Sequence, residues 1–127
     1  MIVHLDTSVV IDVFCKPFRA RRALRSAIVA EHRIAISTLV LYEWLRGPRL
    51  ETELVDQEAA LPATAAIPFD DECAHTAARL YRLVKHARGR EMDIAIAACA
   101  IEHGAALWTL NEEDSHDIPG LTLYRGR

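Results

Sequence analysis

The stretch MIVHLDTSVVID, residues 1–12, places a carboxylate directly after a mostly apolar run. Residues 2–5 predict a short strand directed into the core, and Asp6 follows at once. Removing an ionised carboxylate from water is unfavourable unless another group pairs with it. The position of Asp6 is therefore unusual, and its explanation depends on the other acidic residues of the chain.

Working outward from this strand, strands alternate with helices along the whole chain. The predicted strands cover residues 2–5, 33–37, 65–69, 106–109 and, as an optional fifth, 121–124. The predicted helices cover residues 8–15, 17–32, 38–46, 50–61, 71–88 and 91–103, with breaks at Gly47 and Gly89. This order predicts an α/β domain spanning residues 1–127, with a mainly parallel sheet of four or five strands covered on both faces. Ligands of such sheets bind at the carboxyl ends of strands, where Asp6 and Thr109 fall.

Short polar side chains precede three of the predicted helices and are their expected N-caps. The expected caps are Thr7 or Ser8 for the first, Ser37 or Thr38 for the third, and Asp70 or Asp71 for the fifth.

Length and composition indicate one globular domain in a reducing compartment. The chain has 127 residues, of which 51% are hydrophobic and 26% charged, with a net charge of −3. That balance argues mildly against nucleic-acid binding unless positive charge is concentrated locally. Three cysteines without short ligand spacing, no secretory leader, and uncharged runs that are all too short to cross a bilayer predict a cytoplasmic protein without a membrane span.

Two further carboxylates share the odd context of Asp6. Glu43 is the only charged residue between Ile34 and Leu45, and Asp93, at the start of a helix, precedes the run of small or apolar residues 94–101. A helix dipole contributes at most about 1 kcal/mol there, less than the cost of burying a carboxylate. A shared Mg²⁺ or Mn²⁺, which binds oxygen ligands, explains all three positions together.

Each acid taken alone has a simpler explanation. Asp6 could cap a helix, Glu43 could pair with Arg46 or Arg90, and Asp93 could be an ordinary helix-terminal acid. Their common context favours the shared metal site.

Four segments, in this order, carry a resemblance to a known family: LDTSVVID, LYEWLRG, MDIAIAACAIEHGA and LWTLNEEDSHDIPGL. Together they resemble the PIN domain, and most closely the VapC-type toxin ribonucleases of bacterial toxin–antitoxin pairs. The resemblance spans residues 1–124 and implies a three-layer α/β/α fold.

The resemblance also implies site residues. The acidic ligands of the family match Asp6, Glu43 and Asp93, and its T-x-N-x-x-D segment matches Thr109, Asn111 and Asp114. Asp114 is thereby the candidate fourth acid, but Ser115 replaces the usual aromatic after it. The neighbouring acids Glu112, Glu113 and Asp117 leave the fourth position open between Asp114, another acid of this loop, and a plain solvated charge.

Four polar residues would support such a site. Thr7 and Ser8 would lie beside the metal and orient a carboxylate or water, or merely cap a helix. Thr109 would bond a carboxylate of the cluster, and Asn111 would at least shape the turn.

The activity implied by the resemblance is Mg²⁺-dependent endoribonuclease cleavage of RNA, with Mn²⁺ as an alternative ion. The implied partners are RNA, a small antitoxin and a second copy of the chain. Three basic groups could contact phosphates. They are the arginines of the second helix, Arg46 with Arg49, and the group Arg79, Arg82, Lys85, Arg88 and Arg90.

Two other classes compete with this interpretation. A PIN-like fold retained only for binding a partner is the non-enzymatic alternative. An Asp-dependent phosphatase or receiver is a second α/β class, but Ser8 stands where the phosphatase pattern needs a second Asp. The six histidines join no recognisable motif, and His4 is expected to be packed or hydrogen-bonded rather than catalytic.

Overall fold

The computed structural model describes residues 1–126, which form a three-layer α/β/α fold. Its strands are β1 (Ile2–Leu5), β2 (Arg33–Ala35) and β3 (Ala106–Trp108). Its helices are α1 (Thr7–Phe14), α2 (Arg21–Val29), α3 (Thr38–Arg46), α4 (Glu51–Ala60), α5 (Asp71–Leu83) and α6 (Glu91–Glu102). Short 3₁₀ turns cover Ala63–Ala65 and Glu112–Asp114.

The sheet has the order β2-β1-β3, and both neighbours run parallel to β1. Val3 pairs with Ile34 on one side and with Ala106 on the other. Val3 and Leu5 are completely buried, so β1 runs through the centre of the molecule. The predicted parallel α/β sheet is confirmed, and its central strand delivers Asp6 to the carboxyl edge.

The predicted number of strands was too high, since the sheet of residues 1–126 has three strands rather than four or five. The segments 65–69 and 121–124 each contribute one isolated parallel bridge, between Ser37 and Ile67 and between Leu107 and Leu123. Pro68 has no N–H for a further ladder bond, and Pro119 with Gly120 turns the chain just before the second segment. Both segments lie at the sheet edges without extending it as full strands.

Two helices are shorter than predicted. The second begins at Arg21 rather than Pro17, because Phe18 adopts a left-handed conformation with φ of 59°. The fifth ends at Leu83, well before Gly89. Val84 is extended there, and Val84 and Ala87 are buried in a cluster with α6. The helix therefore ends at Leu83, because the extended backbone after it allows Val84 and Ala87 to be buried.

The N-caps match expectation for two helices and differ for the first. Ser37 accepts from the backbone N–H of Val40 in α3, and Asp70 accepts from that of Cys73 in α5. The cap of α1 is Asp6, not Thr7 or Ser8, since its carboxylate accepts from the N–H of Ser8 at 3.4 Å. Asp6 has the extended backbone that a cap requires, which makes it both the end of β1 and the start of α1.

The main core gathers around β1 and the buried faces of α1 and α3. Trp44 is completely buried, and its indole N–H donates to Gln57 of α4 at 2.9 Å. Trp108 is also buried, so both tryptophans belong to the core. In the described part of the chain, every helix falls short of the length and apolar character that crossing a membrane requires.

Candidate metal centre

Three of the four predicted acids line one cavity of about 350 Å³ beyond the carboxyl end of β1. Asp6 follows β1, Glu43 lies on α3, and Asp93 lies in the first turn of α6. Those elements start far apart in sequence and meet because α3 packs against both α1 and α6. The other lining residues are Thr7, Ser8, Ile11, Arg46, Arg49 and Asn111.

Two hydroxyl groups hold the Asp6 carboxylate. Ser8 Oγ donates to Asp6 Oδ2 at 2.8 Å, and Thr109 Oγ1 donates to the same oxygen at 3.0 Å. The backbone N–H groups of Leu110 and Asn111 donate in turn to the Ser8 and Thr109 hydroxyls, both at 3.1 Å. These bonds converge on Oδ2 and fix the orientation of the carboxylate, while Oδ1 accepts none of them.

Glu43 is held by a hydroxyl and by one cation. Thr7 Oγ1 donates to Oε1 at 2.6 Å, and Arg46 Nη2 approaches Oε2 at 3.4 Å. The ion pair between Glu43 and Arg46, which is the simpler explanation of Glu43, is thus present in the structure. Its side chain is 55% exposed, and an exposed ion pair of this length stabilises little.

Asp93 is half-buried and poorly compensated. Burial raises the pKa of its carboxyl from the ordinary 3.8 to about 6, helped by the negative charges of Asp114, Asp6 and Glu43. Arg90 opposes that rise only weakly. The three ion pairs found within residues 1–126 involve other carboxylates, Glu43, Asp117 and Glu112. The cavity therefore holds negative charge that its own cations do not balance.

Asp114 lies outside this cavity, in an adjoining one of about 620 Å³ that shares Asn111. Among the acids of its loop, Glu112 pairs with Arg125 at 3.0 Å and Asp117 with Arg90 at 2.6 Å. Within residues 1–126, Asp114 forms no such pair, and its charge raises the pKa of Asp93 more than those of Asp6 and Glu43 do. Of the four loop acids, Asp114 is thus the one whose charge reaches the cavity.

The donor chemistry suits a hard divalent cation, with water as part of its shell. Within the described residues, no three His, Cys, Asp or Glu side chains lie close enough to hold an ion by themselves. Mg²⁺ commonly binds through one or two carboxylates and keeps several waters. Asp6 and Asp93 could serve as those carboxylates, and the raised pKa of Asp93 shows that added positive charge would be favourable there.

Two long-range contacts had no signal in the sequence. His4 Nε2 lies 2.6 Å from His103 Nδ1, and burial together with His103 lowers the pKa of His4 to about 4. The expectation of a packed, hydrogen-bonded His4 is confirmed, although its partner 99 residues away was not foreseen. Arg90, considered as a partner of Glu43 or of RNA, instead binds Asp117.

Fold and site together define an α/β protein with a carboxylate-lined cavity at the carboxyl end of parallel strands. The chain belongs to the PIN domain family, whose model matches residues 3–119. A comparison with curated protein sequences gave no significant match.

Chains of solved structures share this fold: 26 of them match significantly, and toxin–antitoxin complexes are among them. DNA-bound VapBC from Salmonella typhimurium has a TM-score of 0.76 and 23% identity, covering 98% of this chain and 97% of that one. A toxin–antitoxin complex from Klebsiella pneumoniae has a TM-score of 0.73 and 24% identity, covering 98% and 99%. FitAcB from Neisseria gonorrhoeae has a TM-score of 0.71 and 21% identity, covering 98% and 97%. These likenesses confirm the PIN fold of the chain.

Proposed function

We propose that this protein is a metal-dependent endoribonuclease that hydrolyses RNA phosphodiester bonds as the VapC-type toxin of a toxin–antitoxin pair. One observation carries the proposal. Three carboxylates from separate elements line a single cavity, where Asp93 stays under-compensated and its pKa is raised to about 6. Membership of the PIN family, together with neighbours that are toxin–antitoxin complexes, supports a nuclease toxin over other α/β classes.

In this proposal Asp6 and Asp93 hold Mg²⁺, or alternatively Mn²⁺, with Asp114 as a fourth acid. A bound Mg²⁺ supplies positive charge that acidifies a water molecule and stabilises the charge developing on the phosphate oxygens. Ser8 and Thr109 keep Asp6 in place through its Oδ2 atom, which leaves Oδ1 for the ion.

Glu43 has the second chemical task. Thr7 fixes its Oε1 atom by a 2.6 Å hydrogen bond, so Oε2 can receive the proton that the attacking water loses, or bind the ion through water. Arg46 and Arg49 line the same cavity and would contact the RNA phosphates beside the acids. Asn111 forms the border with the adjoining cavity and would hold the substrate strand or shape the turn.

The proposed partners are a small antitoxin, a second copy of the chain and the RNA substrate. An acidic cavity is a suitable receptor for a basic side chain of an antitoxin, and the Klebsiella neighbour is a toxin–antitoxin complex. Cys15, Cys73 and Cys99 are unpaired thiols, in keeping with the proposed cytoplasmic location. Residues 1–127 are proposed to act as one domain.

The decisive experiment is cleavage of labelled RNA by purified, antitoxin-free protein in Mg²⁺, Mn²⁺ or EDTA. We expect cleavage with either metal, none in EDTA, and a loss of at least 100-fold in Asp6→Asn and in Asp93→Asn. Asp56→Asn, an identical change at an exposed position of α4, is the matched control and should cleave normally. The proposal would be refuted if the wild-type protein is inactive with every metal, or if Asp6→Asn and Asp93→Asn both cleave RNA normally.

A PIN-like binding protein without catalysis is the second candidate. It is favoured by one observation: within residues 1–126, no three ligand side chains converge tightly enough to hold an ion unaided. Metal-dependent turnover separates the two, because a binding protein shows none. An Asp-dependent phosphatase would instead hydrolyse p-nitrophenyl phosphate and leave RNA chains intact.

A further inference from the structure

The guanidinium group of Arg90 connects the start of α6, which carries Asp93, to the loop that carries Asp114 and Asp117. Arg90 stands just before α6, three residues from Asp93. Its Nη1 and Nη2 atoms donate to the Asp117 carboxylate at 3.0 and 2.6 Å, as a two-pronged fork. Nη2 also donates to the backbone carbonyl of Asp114 at 2.9 Å, and Nη1 to that of Lys85 at 3.3 Å.

These contacts make Arg90 different from an ordinary surface arginine. Only 19% of its side chain is exposed, and its Nε atom is buried without a hydrogen-bond partner in the part of the chain described. An unpaired buried N–H is unfavourable, so the fork to Asp117 must compensate for it. Lysine carries the same charge but cannot form a planar fork.

The second cation of the acidic loop provides a contrast. Arg125 makes one bond to Glu112, at 3.0 Å, and its side chain is 62% exposed. A single exposed ion pair fixes geometry poorly. Each end of the loop is thus paired with an arginine. Of these two arginines, Arg90 is the one that donates to the backbone carbonyl of Asp114.

We propose that Arg90 is a positioning residue that holds residues 114–117 against the start of α6, so that the Asp114 carboxylate acts on the same ion as Asp93. The inference rests on the proposed function, since it requires the metal site. Arg90 does not touch the ion or the RNA in this role. It acts through the placement of Asp114, as groups surrounding metal ligands commonly do.

The test is the affinity of the protein for Mn²⁺ alone, measured by isothermal titration calorimetry without RNA. We expect Arg90→Lys to bind Mn²⁺ about 10-fold more weakly than wild type, and Asp114→Asn to show a comparable loss. The double variant should be no weaker than Asp114→Asn alone, because the two residues act through one ligand. Arg125→Lys is the matched control and should bind as wild type does.

Circular dichroism and thermal unfolding accompany each titration. If Arg90→Lys does not fold, Asp117→Asn removes the fork from the loop side and should weaken Mn²⁺ binding in the same non-additive way. A merely structural role predicts a lower unfolding temperature with unchanged Mn²⁺ affinity, which would overturn the inference. So would Arg90→Lys and Asp114→Asn losses that multiply in the double variant.

The same titrations separate this inference from the proposed function. If Asp6→Asn and Asp93→Asn bind Mn²⁺ as tightly as wild type, the metal site itself is wrong and the role of Arg90 falls with it. If those two variants and Asp114→Asn lose affinity while Arg90→Lys does not, only the positioning role is wrong.

Discussion

Asp93 is the residue at which the demands of folding and of the proposed chemistry conflict. Its carboxyl lies half-buried among the charges of Asp114, Asp6 and Glu43, which together with burial raises its pKa to about 6. The unfolded chain releases this proton near pH 3.8. The folded, metal-free protein therefore binds the proton more tightly than the unfolded chain, and ionisation of Asp93 destabilises the fold as pH rises from about 4 through 6.

Replacement of this carboxylate should stabilise the metal-free protein. In EDTA at pH 7.5, we expect Asp93→Asn to raise the free energy of unfolding by about 1 kcal/mol, measured by urea denaturation. The gain should shrink as the pH is lowered to 5 and vanish below pH 4, where both states hold the proton.

Asp56→Asn, at an exposed position, controls for the amide substitution and should give no pH-dependent gain. Saturating Mg²⁺ should remove the advantage of Asp93→Asn, because the ion binds and stabilises only the wild-type site. An Asp93→Asn protein that is less stable than wild type in EDTA at pH 7.5 would contradict this account.

At the scale of elements, the junction of β1 and α1 places two roles on one side chain. Asp6 follows the central strand and caps the next helix by accepting a hydrogen bond from the N–H of Ser8. The same carboxylate lines the cavity, where the hydroxyl groups of Ser8 and Thr109 fix its orientation. A carboxylate and a carboxamide can both accept these bonds, but only the carboxylate attracts a cation strongly.

Two substitutions of Asp6 should therefore separate the effect of its hydrogen bonds from the effect of its charge. In EDTA, Asp6→Ala is expected to lower the free energy of unfolding by about 2 kcal/mol, since the cap is lost and two hydroxyls lose their acceptor. Asp6→Asn should lose less than half as much. Thermal and urea unfolding would measure both, and equal losses in the two variants would show that the charge of Asp6, rather than its hydrogen bonds, stabilises this junction.

The sheet edges show where element prediction fails. The apolar segments 65–69 and 121–124 read as strands, yet each makes one bridge. Ile67 N–H still donates to Ile36 at 2.9 Å, and Tyr124 N–H to Leu107 at 2.8 Å. The apolar pattern predicted strands here, but neighbouring prolines limited each segment to one bridge at the edge of the sheet.

At the scale of the whole molecule, the charge distribution matters more than its sum. The net charge is −3, which opposes RNA, yet Arg46 and Arg49 line the cavity of the acids. Arg49 is held in place, because its Nε donates to the Trp44 carbonyl at 2.9 Å. Arg46 is 55% exposed and has only the long 3.4 Å contact with Glu43, so its guanidinium can reach a phosphate. RNA binding would then depend on a few local cations and be weakened by salt.

We expect Arg46→Ala to raise the KM for RNA cleavage several-fold while leaving kcat within about twofold, because a phosphate contact binds substrate without joining the reaction. The dependence of log KM on log salt concentration should become shallower by about one unit. Arg33→Ala, at an exposed position of β2 that does not line the cavity, is the control. An unchanged salt dependence in Arg46→Ala would place the RNA elsewhere.

By itself the sequence determined the α/β alternation, the central strand with Asp6 at its end, and the three acids that line one cavity. These features depend on local patterns, because apolar periodicity and an out-of-place charge can be recognised within about ten residues. The family resemblance drawn from the same segments is confirmed by the match over residues 3–119.

Only the tertiary structure decided which side chains meet. The pairing of Arg90 with Asp117 and of Arg125 with Glu112 leaves Asp114 as the loop acid whose charge acts on Asp93. The sequence could not rank these acids, since all stand within a few residues of one another and differ only in their partners from distant segments. Such contacts follow from how the helices pack, and packing depends on distances in space rather than on spacing along the chain.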